Sequence, residues 1–332
     1  MPAMTVPPDD GRLALAIDLG ASHLSVGLVD GAGKLYHPRA LDLTGPADPA
    51  KVLFRVIAAG RRLLTERGNE VGPVVGVGIG VAGLVDPRAR RVLSAGNLGW
   101  TDIDVGMVLE QGLGLPVSAD NDARLATLAE ALYGAGRGSA NLLGVWVGTG
   151  IGGGIILGGR VIRGASGTAG EIGHLPLVEA GSECTCGNRG CLETLAAGPA
   201  LAAAGREALA RARRSGARSA LRELCGDDPA SVSCRLLAVA ADQGDPDACG
   251  IFTRAGTHLG IALAGAVNLL NPEKIVVGGG VAGAGEHLLG PARGELAKRV
   301  LRAPGAAVSV VPAQFRETGV LVGAGALVLG YY

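Results

Sequence analysis

The chain has 332 residues, 48% of them hydrophobic, with 30 basic against 30 acidic side chains. That is enough for one large or two medium globular domains, and the balanced charge offers no basic field for nucleic acid or an anionic membrane. Aromatics are only 3%, so the core must be aliphatic. Glycine is abundant at 57 residues, but it clusters between apolar runs instead of recurring periodically, as in an α/β protein with many tight turns.

Residues 1–11 (MPAMTVPPDDG) have no basic flank and no apolar stretch, which predicts a disordered leader and no signal peptide. No apolar run reaches the roughly 18 to 20 residues of a membrane span, so a cytoplasmic protein with reduced thiols is expected. LALAIDLG and HLSVGLVD then read as a β-hairpin, with a turn at Asp30-Gly31. A helix is expected over residues 48–67, with apolar positions at Val52, Val56, Ala59, Leu63 and Leu64. VVGVGIGVAGLVD is a buried strand entering a loop. Residues 103–112 predict a short helix, PVSAD a strand, and NDARLATLAEALYG a helix stopped by Gly134. LLGVWVGTGIGGGIILGGRVI predicts two buried strands around a glycine turn. Residues 164–193 lack periodicity and read as an ordered loop. Helices follow over about 199–216 and from 255 to 271, then the strand KIVVGGG, the strand VSVVPA and the C-terminal helix GVLVGAGALVL. Strands alternating with helices predict an α/β architecture with helix-covered sheets, and the restart of the helix pattern places a boundary near Val117.

Three segments match Gly-x-Gly-x-x-Gly: 78–83, 148–153 and 278–283. A glycine-rich chain meets this pattern by chance, and none of the three has the strand, helix and distal acid of a dinucleotide fold. Turns between strands can cradle phosphate instead, because backbone N–H groups approach an anion closely where no Cβ intervenes. Asp18-Leu19-Gly20-Ala21-Ser22 and Gly148 to Gly154, which includes Thr149, Gly150 and Gly152, are the candidates. The P-loop pattern is missing from the sequence. Asn121-Asp122 stands where a strand passes into a helix. Either residue suits a helix N-cap, and Asp122 equally suits a general base that takes a proton from a substrate hydroxyl.

Three of the six cysteines fall within eight residues. His174, Cys184, Cys186 and Cys191 make up a complete Cys3His set, and four protein ligands point to a structural zinc, not a catalytic one. Zinc binding of this kind contributes on the order of 10–16 kcal/mol, enough to order a loop without secondary structure. Glu171 and Glu193 are interleaved with these ligands, which would fix them near the metal to accept hydrogen bonds from sugar hydroxyls.

The motifs AIDLGASHLSVGLVD, GVGIGVAGLVD, SADNDA, GTGIGGGIILGGRVIRGASGTAGEIGH, CTCGNRGCLET and IVVGGG resemble, in order and spacing, the ROK family (repressor, open reading frame, kinase) of the actin-like ATPase superfamily. The resemblance runs from Leu13 to Leu329. It implies two actin-like, ribonuclease H-like α/β domains around a central cleft, with residues 12–117 forming the N-terminal domain. Residues 118–317 would form the larger one, with the zinc loop 164–193, and a C-terminal helix over 318–330 would pack back on the first. It further implies ATP-dependent phosphorylation of a hexose, by default glucose at the 6-hydroxyl, with Mg2+ and with Asp122 as the base. Gly83, Asn97, Asn121, Asp122, Glu171, His174 and Glu193 would bind the sugar. Asp18, Gly20 and Ser22 match the first phosphate motif, Gly148, Thr149, Gly150 and Gly152 the second, and Gly278, Gly279 and Gly280 the adenosine motif. Assembly as a homodimer or homotetramer is implied as well.

The chain departs from the family where Gly20-Ala21-Ser22-His23 replaces Gly-Gly-Thr followed by Lys or Asn, so a constant positive charge is gone. Ala82 replaces a frequent proline. An amino sugar, N-acetylmannosamine or a cyclitol stays open as substrate, the departure in the first turn favouring a specialised one, and polyphosphate stays open as donor. The family's repressors carry a winged helix before the first phosphate motif. Asp18 lies only 17 residues from the start of this sequence, which predicts an enzyme over a regulator. A sugar-binding regulator without DNA contact is the alternative.

Overall fold

The computed structural model describes residues 3–6, 9–43, 48–66 and 72–330. Part of the leader expected over 1–11, namely residues 1, 2, 7 and 8, lies outside the described residues, as does position 67 of the helix expected over 48–67. Two described leader residues, Met4 and Val6, pack against the core.

The first hairpin is β1 (Leu13–Leu19) and β2 (His23–Asp30), extended by β3 (Leu35–Asp42). Helix α1 (Pro49–Glu66) leads to β4 (Val74–Val81), and β5 (Leu84–Asp86), β6 (Arg91–Ala95) and β7 (Trp100–Ile103) form a small antiparallel sheet. Next come α2 (Val105–Leu113), β8 (Val117–Asn121) and α3 (Asp122–Tyr133). The second half begins with β9 (Leu142–Val147), β10 (Ile151–Leu157) and β11 (Arg160–Ile162). After the long loop come α4 (Leu192–Ala196), α5 (Gly198–Ser215), α6 (Ala220–Cys225), α7 (Cys234–Asp242) and α8 (Pro246–Leu270). The chain closes with β12 (Lys274–Gly278), α9 (Glu286–Arg299), α10 (Arg302–Ala307), β13 (Ser309–Pro312) and α11 (Gly319–Leu329).

The two large sheets share one topology. Their strand orders are β3-β2-β1-β4-β8 and β11-β10-β9-β12-β13, so numbered within each sheet both read 3-2-1-4-5. In the first, β1–β2 and β2–β3 pair antiparallel and β1–β4 and β4–β8 parallel. In the second, β10–β11 is antiparallel and β12–β13 parallel. A hairpin-extended meander followed by parallel crossovers needs helices on both faces, and β1 is accordingly buried along its whole length.

Alternation along β1 shows how the faces divide. Leu13, Leu15, Ile17 and Leu19 share one core with Leu53, Val56 and Leu63 of α1, together with Trp100 and Leu109. Ala14 and Ala16 face the other way, onto Leu125, Leu128 and Leu132 of α3 and Leu321, Ala324 and Leu327 of α11. The small residues on that face let α11 come close: a Cβ at Gly323 would stand 1.9 Å from the Leu125 carbonyl oxygen. Glu130, fully buried on α3, uses its two carboxylate oxygens to accept the Ala135 and Phe315 backbone N–H groups, each at 2.7 Å. This anchors the returning C-terminal segment.

By contacts the chain forms two compact units. One is 1–144, 154–170 and 313–332, and the other 145–153 and 171–312. Three features differ from the sequence reading. The helix expected from 255 starts at Pro246, capped by the Asp245 side chain accepting the Ala248 N–H at 3.0 Å. The glycine turn after β9 is shorter than 148–154, because β10 resumes at Ile151 and takes the following glycines into the strand. The strands β3, β5, β6 and β7 and the helices α4, α6, α7, α9 and α10 have no counterpart in the sequence reading. Among the described residues no helix is long and apolar enough to cross a membrane.

Candidate active site

The first unit holds Asp18, Gly20, Ser22, Gly83, Asn97, Asn121 and Asp122. Asp18 lies near the end of β1, 7% exposed. Gly20, Ala21 and Ser22 form the turn, closed by the Gly20 N–H donating to the His23 carbonyl at 3.0 Å. The His23 ring lies over Gly20, where a Cβ would come within 2.2 Å of its Cε1. Its Nε2 is 3.4 Å from Asp18 Oδ2. That hydrogen bond raises the His23 pKa above its ordinary value; burial opposes the rise, and the charges of Asp18 and Asp122 add to it. This turn therefore carries a proton-dependent charge.

Of Asn121 and Asp122, the first makes the helix cap. Asn121 is the N-cap of α3, its Oδ1 accepting the Arg124 N–H at 3.0 Å. Its amide nitrogen donates to Asp122 Oδ1 at 2.9 Å and to the Gly83 carbonyl at 3.1 Å. The Ala123 N–H donates to the same Asp122 oxygen at 2.8 Å. Asp122 thus stands in the first helical turn with one carboxylate oxygen, Oδ1, held by two donors. Asn97 lies exposed in the one-turn segment Gly96–Leu98.

The second unit holds Gly148, Thr149, Gly150, Gly152, Glu171, His174, the three cysteines, Glu193 and Gly278 to Gly280. Its glycine turn is packed from several sides. Gly148 donates to the Gly150 carbonyl at 2.8 Å and accepts from the Gly198 N–H at 2.8 Å. A Cβ at Gly279 would stand 2.4 Å from the Val147 carbonyl oxygen, which brings the end of β12 against the end of β9. Glu193 reaches the same turn. Its Oε2 accepts the Ile151 N–H at 2.8 Å, and its Oε1 is 4.0 Å from the Cys184 thiol. A Cβ at Gly150 would come within 2.5 Å of Glu193 Oε2, and one at Gly173 within 2.0 Å of the Ile151 carbonyl oxygen. The segment Ile172–His174, carrying a candidate sugar ligand, therefore packs directly on the candidate phosphate turn.

Ligand atoms of His174, Cys184, Cys186 and Cys191 all lie within 4.8 Å of one another. His174 Nδ1 is 3.5 Å from Cys184 Sγ, and Cys186 Sγ is 3.8 Å from Cys191 Sγ. The loop doubles back through the Cys184 N–H donating to the Asn188 carbonyl at 2.8 Å. Burial pushes the Cys191 thiol up to about 12, while the Asn188 backbone amide pulls Cys186 down. The four groups could hold a metal ion.

Sequence reasoning found these clusters by their spacing in the chain. It missed Gly198 behind the glycine turn and Asp120, Arg124 and Arg163 behind Asp122. Asp120 and Arg124 are both almost fully buried; a charged Arg four residues after an Asp, one helical turn on, is the signal that was available.

Residues 14–330 match the ROK family. The glucokinase of Halalkalibacterium halodurans is 33% identical over 281 residues, 84% of each chain. The crystal structure of a ROK family glucokinase from Streptomyces griseus, in complex with glucose and AMPPNP, superposes with a TM-score of 0.84 at 32% identity. It covers 95% of this chain and 98% of that one. The xylose repressor of Bacillus subtilis is 26% identical over 333 residues, covering 100% of this chain and 80% of its own.

Proposed function

The chain belongs to the ROK family, with its actin-like α/β fold, and we infer that it is an ATP-dependent hexose kinase with glucose as the default acceptor. The observation that carries this reading is the carboxylate of Asp122, oriented by Asn121 and by the Ala123 N–H at the mouth of α3. A repressor that only senses sugar has no need of an oriented base. In phosphoryl transfer the protein supplies position and charge, and a base orients the attacking hydroxyl. Asp122 takes the proton of the 6-hydroxyl. Glu171, His174 and Glu193 hold ring hydroxyls, with Asn121, Gly83 and Asn97 as further contacts. Asp18, Gly20 and Ser22 and the turn Gly148, Thr149, Gly150 and Gly152 cradle the phosphates, delivered as the Mg2+ complex, and Gly278, Gly279 and Gly280 meet the adenosine.

His174, Cys184, Cys186 and Cys191 hold a structural zinc. With Zn–S near 2.3 Å and Zn–N near 2.05 Å, a tetrahedron has S···S edges of about 3.8 Å and S···N edges of about 3.6 Å. The Cys186–Cys191 separation of 3.8 Å and the His174–Cys184 separation of 3.5 Å support that fit. The metal's part is to order the loop; the sugar contacts belong to the protein. The protein is expected to be cytoplasmic and to assemble as a homodimer or homotetramer, which light scattering of the purified protein tests.

The test is ATP consumption measured over a panel of glucose, mannose, N-acetylmannosamine, amino sugars and cyclitols, with polyphosphate as the alternative donor. Glucose-dependent release of ADP and appearance of the 6-phosphate is the expected result. The match to a xylose repressor supports a second reading, a sugar-binding regulator. Sugar-induced thermal stabilisation with no turnover on any acceptor would favour it and overturn the kinase.

A further inference from the structure

Behind Asp122 lies a set of charges that the reaction itself does not use. Asp120, 1% exposed, is the penultimate residue of β8. Its Oδ1 accepts the Asn121 N–H at 2.8 Å and an Nη of Arg124, itself 2% exposed. Its Oδ2 accepts Nη2 and Nε of Arg163 at 3.0 and 3.2 Å. One buried carboxylate thus faces two guanidinium groups. Arg124 extends the set: its Nη2 donates to the Ala169 carbonyl at 3.2 Å. The loop from Arg163 to Ala169 is closed on itself by the Ala169 N–H donating to the Arg163 carbonyl at 2.9 Å. Both ends of that loop are therefore tied to Asp120, one directly and one through Arg124. All of these residues belong to the first compact unit.

Two features make this more than a packing device. Replacing a buried charge cluster by well-packed apolar residues is often neutral or stabilising, and the Arg124 Nε is buried with no partner among the described residues. Fold stability is therefore a weak reason for it. Its place in the chain is a stronger one: Asp120 precedes Asp122 by two residues, and Ala169 precedes Glu171 by two. The cluster joins, from behind, the segment that carries the base and the segment that leads into the sugar-binding loop.

We propose that Arg163 and Arg124, acting through Asp120, are positioning residues that lock the base-bearing turn and the loop leading into Glu171 into one rigid element, so that the acceptor hydroxyl meets the base correctly aligned. The proposal rests on the kinase reading above. Misplacing a reacting group by about 1 Å can cost on the order of 100-fold in rate. The bonds named for the clamp run among residues 120, 121, 124, 163 and 169, none of which belongs to a candidate phosphate turn, so its loss should fall on the sugar.

The test uses the full chain with Arg163→Gln and Arg163→Lys. Arg163 has a side chain 24% exposed, so water can solvate what the substitution leaves, and the variants should fold. In Arg163→Gln, kcat should fall by about tenfold or more and the KM for sugar should rise several-fold, with the KM for ATP within about twofold. Lysine, which restores the charge and one of the two bonds, should recover part of the loss. Amide hydrogen exchange over residues 164–171 should speed up in the Gln variant. Asp120→Asn should show both effects more strongly; should it fail to fold, the Arg163 pair still decides the matter. Unchanged kinetics overturn the proposal, as does a fall in kcat matched by a loss of active protein with both KM values unchanged, the mark of a merely structural role. Should the wild type phosphorylate no sugar at all, the kinase reading fails. The exchange measurement still reads the clamp, and unchanged exchange over 164–171 overturns it.

Discussion

Asp122→Asn separates catalysis from folding because of how the carboxylate is held. Its Oδ1 accepts from Asn121 at 2.9 Å and from the Ala123 N–H at 2.8 Å. An asparagine carbonyl can accept both bonds in the same place, so the turn keeps its geometry. What folding loses is a negative charge in the first turn of α3, about 0.3–1 kcal/mol. For a protein of this size that is a drop in Tm of about 4 °C or less. The reaction loses its base altogether, which costs roughly 10² to 10⁴ in rate, or about 2.7–5.4 kcal/mol at 1.36 kcal/mol per decade. The assay is coupled ADP release at saturating glucose and ATP, beside a thermal melt of the same sample. A loss of less than tenfold removes Asp122 from the role of base. A large loss accompanied by a Tm drop beyond about 8 °C would mean that the turn had collapsed, and the argument from its hydrogen bonds would be wrong.

Gly150 and Gly173 press on the same glycine turn but should not respond alike. A methyl at Gly150 meets a carboxylate that can rotate away, costing the Glu193 bond to Ile151, about 1.5–3 kcal/mol for a charged hydrogen bond. A methyl at Gly173 meets the Ile151 carbonyl at 2.0 Å, where only backbone can move; Gly173→Ala should be the more damaging in thermal melts, and the reverse order refutes the packing described. Removing zinc with a chelator, or Cys186→Ser, should speed hydrogen exchange over residues 171–193 and abolish sugar binding by calorimetry, whereas active protein free of metal would sink the zinc assignment. Asp245, buried at the cap of α8, has its pKa pushed up by burial but lowered overall by bonds from Ser219, Ala248 and Leu221. Its stabilisation is present above the ordinary carboxylate value and is lost as pH falls through the depressed one. Asp245→Ala should cost about 1–2 kcal/mol at pH 7, and urea melts should show that gap narrowing toward pH 3; a gap equal at both would mean the charge is not its source.

Much of the fold could be read from the sequence because its strongest signals are short-range. The run LALAIDL alternates large and small residues, which is enough to predict a strand between two helical layers, and β1 has Leu and Ile on one face and Ala on the other. The Cys-x-Cys-x4-Cys spacing was legible for a similar reason, since ligands close in the chain need little help from the fold to meet. The strands β5 to β7 were not legible, because pieces of three to five residues are too short to show a period. Their partners are one another, a fact that no single segment carries.

The site divides along the same line. His23 announced itself as a departure from the family pattern, but its bond to Asp18 and its place over Gly20 depend on the hairpin closing. Arg163 meets Asp120 across 43 positions, and no local pattern can predict that. At Asn121-Asp122 the sequence offered a cap or a base, as if one reading excluded the other. In the structure the cap is made by Asn121 Oδ1 to the Arg124 N–H, so the carboxylate next to it is not needed to end the helix, which supports the role of base proposed above. The amide of that same Asn121 then orients Asp122.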